Sequence, residues 1–308
     1  MLFDTSKANI EELHDELFAE KQVSVSVLRL DKIHPLVSGN KLFKLHYFLE
    51  ESINSSHPAG SGGKTVLTFG GAYSNHLSAT AYACKVLQLK SVGIVRGEKP
   101  EQLSHTLQQC LQDGMQLQFI SRQQYIQKDD PAFITSLKAT YGECVIIPEG
   151  GYHPLGAKGA ALIMDLVKDK SYTHICTATG TATTLAGILM AARSEQTVVG
   201  FPVLKGITDI KNNIIKLTGK VAEFENLLVL NNYHFGGYAK KTDLLIQFMN
   251  QCWLKHQLPL DFVYTAKMLF GTFDAVKNDT FTRGSKILCL HTGGLQGNKS
   301  LPLNTLLF

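Results

Sequence analysis

Arginine, tryptophan and proline are scarce in this chain. Of its 30 Lys+Arg residues only five are Arg, and one Trp and nine Pro stand among 308 positions. Planar, bidentate reading of phosphates and base edges favours guanidinium over the ammonium that dominates here. The net charge of +4 is slight and the basic residues are scattered, so no nucleic-acid footprint is expected. Long apolar runs are missing too. The longest, from Thr181 to Ala192, contains three Thr and a Gly and is about half of what a bilayer crossing needs. Met1 to Lys7 has no charged stretch leading into an apolar one, so no signal peptide is read. The six cysteines (Cys84, Cys110, Cys144, Cys176, Cys252, Cys289) stand far apart with no CxxC. Free, mostly buried thiols and a cytoplasmic location are therefore expected. No HExxH and no metal-ligand spacing occurs, so no metal site is expected.

What is present is a globular composition, 44% hydrophobic and 18% charged with a mean hydropathy of +0.00. Such a chain has enough apolar surface to offset its conformational entropy, and its length suggests about two domains. From residue 65 onward, short apolar runs fall at 65–69, 92–95, 117–120, 145–147, 173–176, 197–201, 227–230 and 287–290. Helix-compatible stretches lie between them at 77–89, 102–112, 156–168, 184–193, 207–217 and 242–256. This alternation predicts an α/β fold with βαβ units and a mainly parallel sheet. Continuously apolar strands fit burial on both faces. The one low-complexity patch, 52–63, reads as a loop. With no linker between halves, a second domain has to be assembled by the chain crossing back.

Several motifs fail. Pro58 stands where a P-loop ending at Gly63-Lys64-Thr65 needs its first glycine, and that string precedes a strand instead of following one. Gly93 to Gly97 reads as a strand running into a turn. No GxSxG elbow is present.

Four clusters remain. Ser38-Gly39-Asn40-Lys41 puts a lysine at the start of a helical pattern, where the positive local field lowers an amine's pKa and suits Schiff-base chemistry. A solvated lysine is the plain alternative. Gly70 to His76 leaves a strand and opens a helix, with Ser74 and Asn75 as caps or ligand contacts. Ala178 to Thr184 does the same with small residues and hydroxyls, which favours a phosphate at the helix N-terminus. The last cluster comprises Glu149-Gly150-Gly151, Gly236-Gly237-Tyr238, Val263-Tyr264-Thr265 and His291-Thr292-Gly293-Gly294. It places possible site residues at loops and strand ends, although Tyr238 and Tyr264, 26 residues apart, read better when taken alone as unconnected core tyrosines.

In this order the strings SGNKLFK (38–44), GGAYSNH (70–76), IPEGGYHPLGAKG (147–159), ATGTATTLAG (178–187), VYTAKM (263–268) and HTGG (291–294) resemble one group of enzymes. It is the 1-aminocyclopropane-1-carboxylate deaminase / D-cysteine desulfhydrase family, pyridoxal-phosphate enzymes of the tryptophan-synthase β-like type. The resemblance implies fold type II, with two open, twisted, mainly parallel sheets flanked by helices and pyridoxal 5′-phosphate between two domains. The smaller, 48–158, would be inserted in a larger one made of 1–47 plus 159–308. It further implies a cytoplasmic homodimer and a lyase or hydrolase-type deaminase acting on a small amino acid, with no nucleic-acid or membrane partner.

Residue by residue, Lys41 resembles the lysine that holds the cofactor and later moves the substrate's α-proton. Asn75 resembles the partner of the cofactor's phenolic oxygen, and Ser74 faces the substrate carboxylate. Thr179, Gly180, Thr181, Ala182, Thr183 and Thr184 resemble the phosphate loop. Tyr238 and Tyr264 resemble an active-site pair, and Thr265 falls at the pyridine-nitrogen partner. Ring-opening members carry glutamate there; a hydroxyl supports a weaker electron sink, which suits elimination of a good β leaving group. His76 also resembles the desulfhydrase branch. D-cysteine desulfhydration is thus the favoured expectation, with cyclopropane ring opening, or cofactor binding without turnover, as alternatives. Three departures stand out: Phe43 for a usual basic residue, Tyr73 for a common glutamine, and Ala182 for a glycine. The methyl at 182 is expected to be tolerated only at negative φ.

Overall fold

The computed structural model describes residues 2–34, 37, 39–54, 64–206, 209–220 and 224–308. Ser38, most of the 52–63 patch and the start of the 207–217 stretch lie outside the described residues. The strands are β1 (Ile10–Leu13), β2 (Ser24–Arg29), β3 (Thr65–Gly70), β4 (Ser91–Arg96), β5 (Gln116–Ile120), β6 (Cys144–Ile147), β7 (His174–Thr179), β8 (Thr197–Pro202), β9 (Leu227–Val229) and β10 (Lys286–His291). The helices are α1 (Glu16–Lys21), α2 (Asn40–Asn54), α3 (Asn75–Val86), α4 (His105–Gln112), α5 (Arg122–Ile126), α6 (Pro131–Tyr141), α7 (Pro154–Ala161), α8 (Thr183–Ala191), α9 (Ile210–Thr218), α10 (Asp243–His256) and α11 (Thr265–Lys277).

Two sheets form. One has six strands in the order β1-β2-β10-β7-β8-β9, the other four in the order β5-β4-β3-β6. Only the β1–β2 pairing is antiparallel among the described strands. Every apolar run expected from the sequence is a strand, and β3, β7 and β8 are buried along almost their whole length, as strands covered on both faces must be.

Six elements lie outside that reading: the short helices α1 and α5, and four others. In β2, alternating Ser and Val suggests one wet face, yet it is buried on both: Val25 and Val27 join one core cluster and Leu28 another, while β10 and β1 take up its two edges. Two Glu disguise β1, which lies at the sheet's edge. In α6, β-branched and aromatic residues hide a helix that starts from the Asp130 cap and Pro131. The fourth, α11, opens inside a string read as a site motif and carries Gly271 within it.

The chain passes from one sheet to the other along α2 and returns along α7, so residues 47/48 and 158/159 both fall within helices. These helices touch almost backbone to backbone. A Cβ on Gly159 would stand 2.1 Å from the Phe43 carbonyl oxygen of α2. Phe43 itself is fully buried in the core. All six cysteines are free and only Cys144 is less than fully buried. No helix among the described residues is long and apolar enough to cross a membrane.

Candidate active site

The C-terminal ends of β3, β4, β7 and β10 converge on a cavity of about 540 Å³, at the strand ends where open α/β sheets build their sites. Lys41 reaches it from the first turn of α2. The approach is fixed from two sides. Gly39 has φ +82, and a Cβ there would lie 1.9 Å from the Thr292 carbonyl oxygen. Asn40 donates from Nδ2 to Thr184 Oγ1 at 2.7 Å and accepts the Lys41 amine on Oδ1 at 2.9 Å. The lysine motif is thus wedged between the HTGG turn and the threonine loop. Lys41 is half-buried at the cavity wall. Desolvation pushes its amine down to about 8, against a smaller opposing pull from Asp261.

Two more basic groups share this wall. Lys44, one turn further along α2, is buried and donates to the Gly150 carbonyl at 3.2 Å. Burial, and then the charge of Lys41, hold its amine well below the usual range. His76 is pushed down to about 3 by burial and by Lys41 and Lys44. Thr68 gives its hydroxyl proton to the Ile147 carbonyl, so it receives one from His76 Nε2 at 2.9 Å. The imidazole is therefore neutral and protonated on Nε2.

The threonine loop runs from the end of β7 into α8. Ala182 stands at φ 63, ψ −3, which corrects the expectation of a negative φ. A left-handed alanine costs on the order of 1 kcal/mol and survives only where its surroundings over-determine it. No side chain caps α8, and its first main-chain bond runs from Ala186 N–H to the Ala182 carbonyl at 2.8 Å. The N–H groups of Thr183, Thr184 and Leu185 have no acceptor among the described residues. The Thr179 hydroxyl is buried without a hydrogen-bond partner. A cradle of unspent donors at the start of a nine-residue helix fits an anion.

The tyrosines stand beside this loop, where a Cβ on Gly180 would lie 3.3 Å from the Tyr264 ring. Tyr238 and Tyr264 meet edge to face with ring centroids 6.1 Å apart, and the Lys41 amine lies 5.6 Å from the Tyr264 centroid. The cavity does not lower the Tyr264 phenol, as base catalysis would require. Burial, then Tyr238, Asp261 and Glu149, push it well above its ordinary value, so it enters neutral solution as a proton donor. Ser74 caps α3, accepting the Leu77 N–H at 3.2 Å, and Asn75 follows as the first helical residue. Tyr73 is 59% exposed and meets His105 with the rings tilted at 54° and centroids 5.8 Å apart.

Thr265 is the expected contact that does not reach the cavity. Its hydroxyl is fully buried and donates to Asp261 Oδ1 at 2.8 Å. Sequence reasoning missed Asp261. Its carboxylate accepts the N–H groups of Val263, Tyr264 and Thr265 at 2.8–2.9 Å, which fixes the turn presenting Tyr264. An aspartate just before a helix start is the available signal. Also missed was Lys267, fully buried, whose amine donates to the carbonyls of His234 at 2.9 Å and Gly237 at 2.7 Å. It ties down the turn that carries Tyr238. A desolvated amine facing an uncapped helix start and an orphaned buried hydroxyl fits the aldehyde and phosphate of pyridoxal 5′-phosphate.

No family model matches the chain. A protein of Thermotoga maritima named "Putative 1-aminocyclopropane-1-carboxylate deaminase" is 30% identical over 291 residues, spanning 89% of both chains. A protein of Arabidopsis thaliana named "Bifunctional D-cysteine desulfhydrase/1-aminocyclopropane-1-carboxylate deaminase, mitochondrial" is 28% identical over 286 residues, 85% of this chain and 70% of that one. Among solved structures, that of an "ACC deaminase homologue" matches with a TM-score of 0.78 at 25% identity, over 97% of this chain and 92% of that one. The fold is the tryptophan-synthase β-like fold type II of pyridoxal-phosphate enzymes.

Proposed function

We propose, from the premise that this chain belongs to the 1-aminocyclopropane-1-carboxylate deaminase / D-cysteine desulfhydrase family of pyridoxal-phosphate lyases and deaminases, that it removes sulfide and ammonia from D-cysteine or a closely related small amino acid. The observation that carries the cofactor is the Lys41 amine, held near pKa 8 in the same cavity as the uncapped start of α8. Elimination is favoured over ring opening by the shortage of carboxylates. Glu149 is the one acidic side chain lining the cavity among the described residues, and its partner is Lys128 at 3.9 Å. Thr265 stands where ring-opening relatives carry glutamate, and its hydroxyl is committed to Asp261. Without a carboxylate to keep a proton on the cofactor ring, a good leaving group is the easier demand. The ring-opening reading keeps support from the name of the Thermotoga relative.

When bound, the cofactor supplies the electron sink for the pair released at Cα. The rest is the chain's own work. Lys41 would hold the aldehyde carbon and, once displaced, move the α-proton, its amine being substantially neutral near pH 8. Asn75 would meet the cofactor's phenolic oxygen, while Ser74 and the first N–H groups of α3 orient the substrate carboxylate. Thr179 to Thr184 would hold the phosphate. Tyr264 and Tyr238, both raised phenols, are placed to give a proton to the departing sulfur. Cα–H and Cβ–S break, sulfur leaves with its electron pair, and water converts the remainder to a 2-oxo acid and ammonia.

The proposal keeps a homodimer, checked by a sedimentation mass near twice 33.9 kDa. It also keeps 48–158 as a domain inserted between 1–47 and 159–308. Incubating the enzyme with D-cysteine, L-cysteine and 1-aminocyclopropane-1-carboxylate tests the reaction. Sulfide with pyruvate from D-cysteine is expected. Faster release of 2-oxobutanoate from the cyclopropane would replace the reading, and unchanged absorption with every amino acid would leave a binder without turnover.

A further inference from the structure

We infer that Arg96 is a specificity-determining residue that selects amino acids whose β-substituent carries, or leaves with, negative charge. The inference rests on the reading of this cavity as an amino-acid site. Arg96 ends β4, one residue beyond the Gly70–Val95 register pair, so its side chain emerges beside Gly71. A Cβ on Gly71 would stand 3.5 Å from Arg96 Nη2. The guanidinium therefore lies along the loop that leads into α3.

Three basic side chains line the cavity besides neutral His76: Lys41, Lys44 and Arg96. Lys41 is given to the cofactor, and Lys44 is buried against the Gly150 carbonyl. Arg96 is exposed and lines the cavity. Nothing among the described residues accepts a hydrogen bond from it or pairs with it as an acid. The contrast is Arg29, whose guanidinium is spent on Asp31 and Glu11. What holds Arg96 is an aromatic face, its Cζ lying 5.6 Å from the centroid of the buried Tyr125 ring. Lys128 sits at 5.6 Å from the same ring and pairs with Glu149, so the cavity's own carboxylate is already engaged. A guanidinium steadied by stacking, with its donors unspent, is built to take a planar anion.

The anion is not the α-carboxylate. That group has its own receptor in the Asn75 and His76 N–H groups, which have no acceptor among the described residues, beside the Ser74 hydroxyl, which accepts the Leu77 N–H and keeps its own proton to give. With Cα held beside Lys41 and the carboxylate at the start of α3, the β-substituent is left to face the rim. In the elimination, Cβ–X breaks and X departs with the electron pair. A guanidinium facing X favours that charge as it develops, and favours it already in the ground state where X is a thiolate, carboxylate or sulfonate.

The test reads binding, not turnover, with amino acids that bear no leaving group. Both enantiomers of aspartate, asparagine and alanine are titrated into the cofactor-loaded protein by calorimetry, with wild type, Arg96→Gln and Arg96→Lys compared. One enantiomer of aspartate should bind wild type at least roughly 10-fold tighter than asparagine, the size of one charge-assisted bond. Arg96→Gln should erase that preference, Arg96→Lys should keep part of it, and alanine should bind all three alike. Equal binding of aspartate and asparagine to wild type, or a preference that survives Arg96→Gln, overturns the inference. So does an equal loss for alanine, which would move Arg96 to the α-carboxylate. Each of these leaves alanine binding to wild type and so spares the amino-acid reading. Failure of every amino acid to bind wild type overturns both.

Discussion

Lys41 owes its chemistry to where its amine sits. Burial lowers it from 10.5 to about 8, so the neutral, nucleophilic form gains as pH rises through about 8. Capture of pyridoxal 5′-phosphate by the apoprotein, followed by visible absorption, should rise over that same pH interval. Borohydride reduction and peptide mapping should place the added mass on Lys41. Lys44 is the informative rival, since burial and then the charge of Lys41 also hold its amine well below the usual range; finding the mass there would move the site by one helical turn. Tyr264 is driven the other way and stays protonated. Tyr264→Phe is expected to cut turnover by about 10²-fold or more while the bound-cofactor absorption survives. A change of less than about threefold would reduce the phenol to packing against Tyr238.

At the scale of elements, the start of α8 is a surplus of donors waiting for a ligand. Thr184 is already committed to Asn40 and Thr181 to Thr183, whereas Thr179 is orphaned and buried. Thr179→Val keeps the shape and removes the orphan. Without cofactor it should leave stability equal or higher by about 1 kcal/mol, and cofactor binding should weaken by about 1–3 kcal/mol. Urea titrations of apo and loaded protein separate the two effects. An apo protein that loses stability would mean that the hydroxyl has a structural partner instead. The close approach of α7 to α2 at Gly159 ties this region to Lys41 through the backbone, which is why helix packing and cofactor placement are one problem here.

Across the whole molecule, the N-terminal strands are pinned by charge as well as by register. Arg29 joins Asp31 and Glu11, and Lys32 joins Glu11. Burial alone would raise Glu11. Hydrogen bonds from Lys32, Asn9 and Arg29 outweigh it and hold the carboxyl at about 2 instead of 4.5. A depressed carboxyl stabilises the fold above its unfolded pKa and loses that contribution as pH falls toward the folded value. The urea midpoint of the wild type should therefore drop between about pH 4.5 and 2. Glu11→Gln should lower the midpoint at pH 7 and flatten that acid slope. An unchanged slope would show the pairs to be solvent-screened.

Sequence alone determined the α/β class, the places of eight strands and the site strings, because continuous apolar runs and Gly- or Thr-rich strand ends are local signals. Lys41, Ser74, Asn75, Tyr238, Tyr264 and the threonine loop were legible as strings, and they share one cavity. Tertiary structure decided the rest. The strand character of β2 comes in part from β10 at the far end of the chain, where Lys286 pairs with Ser24, and β1 forms on the edge that β2 then offers; no local period encodes that. Ala182 adopts a positive φ because the loop between β7 and α8 imposes it. Thr265 turns from the cavity because Asp261, four residues back, offers a buried carboxylate at 2.8 Å. The direction of the Tyr264 shift, like that of Lys41, is set by desolvation. Burial depends on which distant elements close over a group, and that is a property of the folded chain.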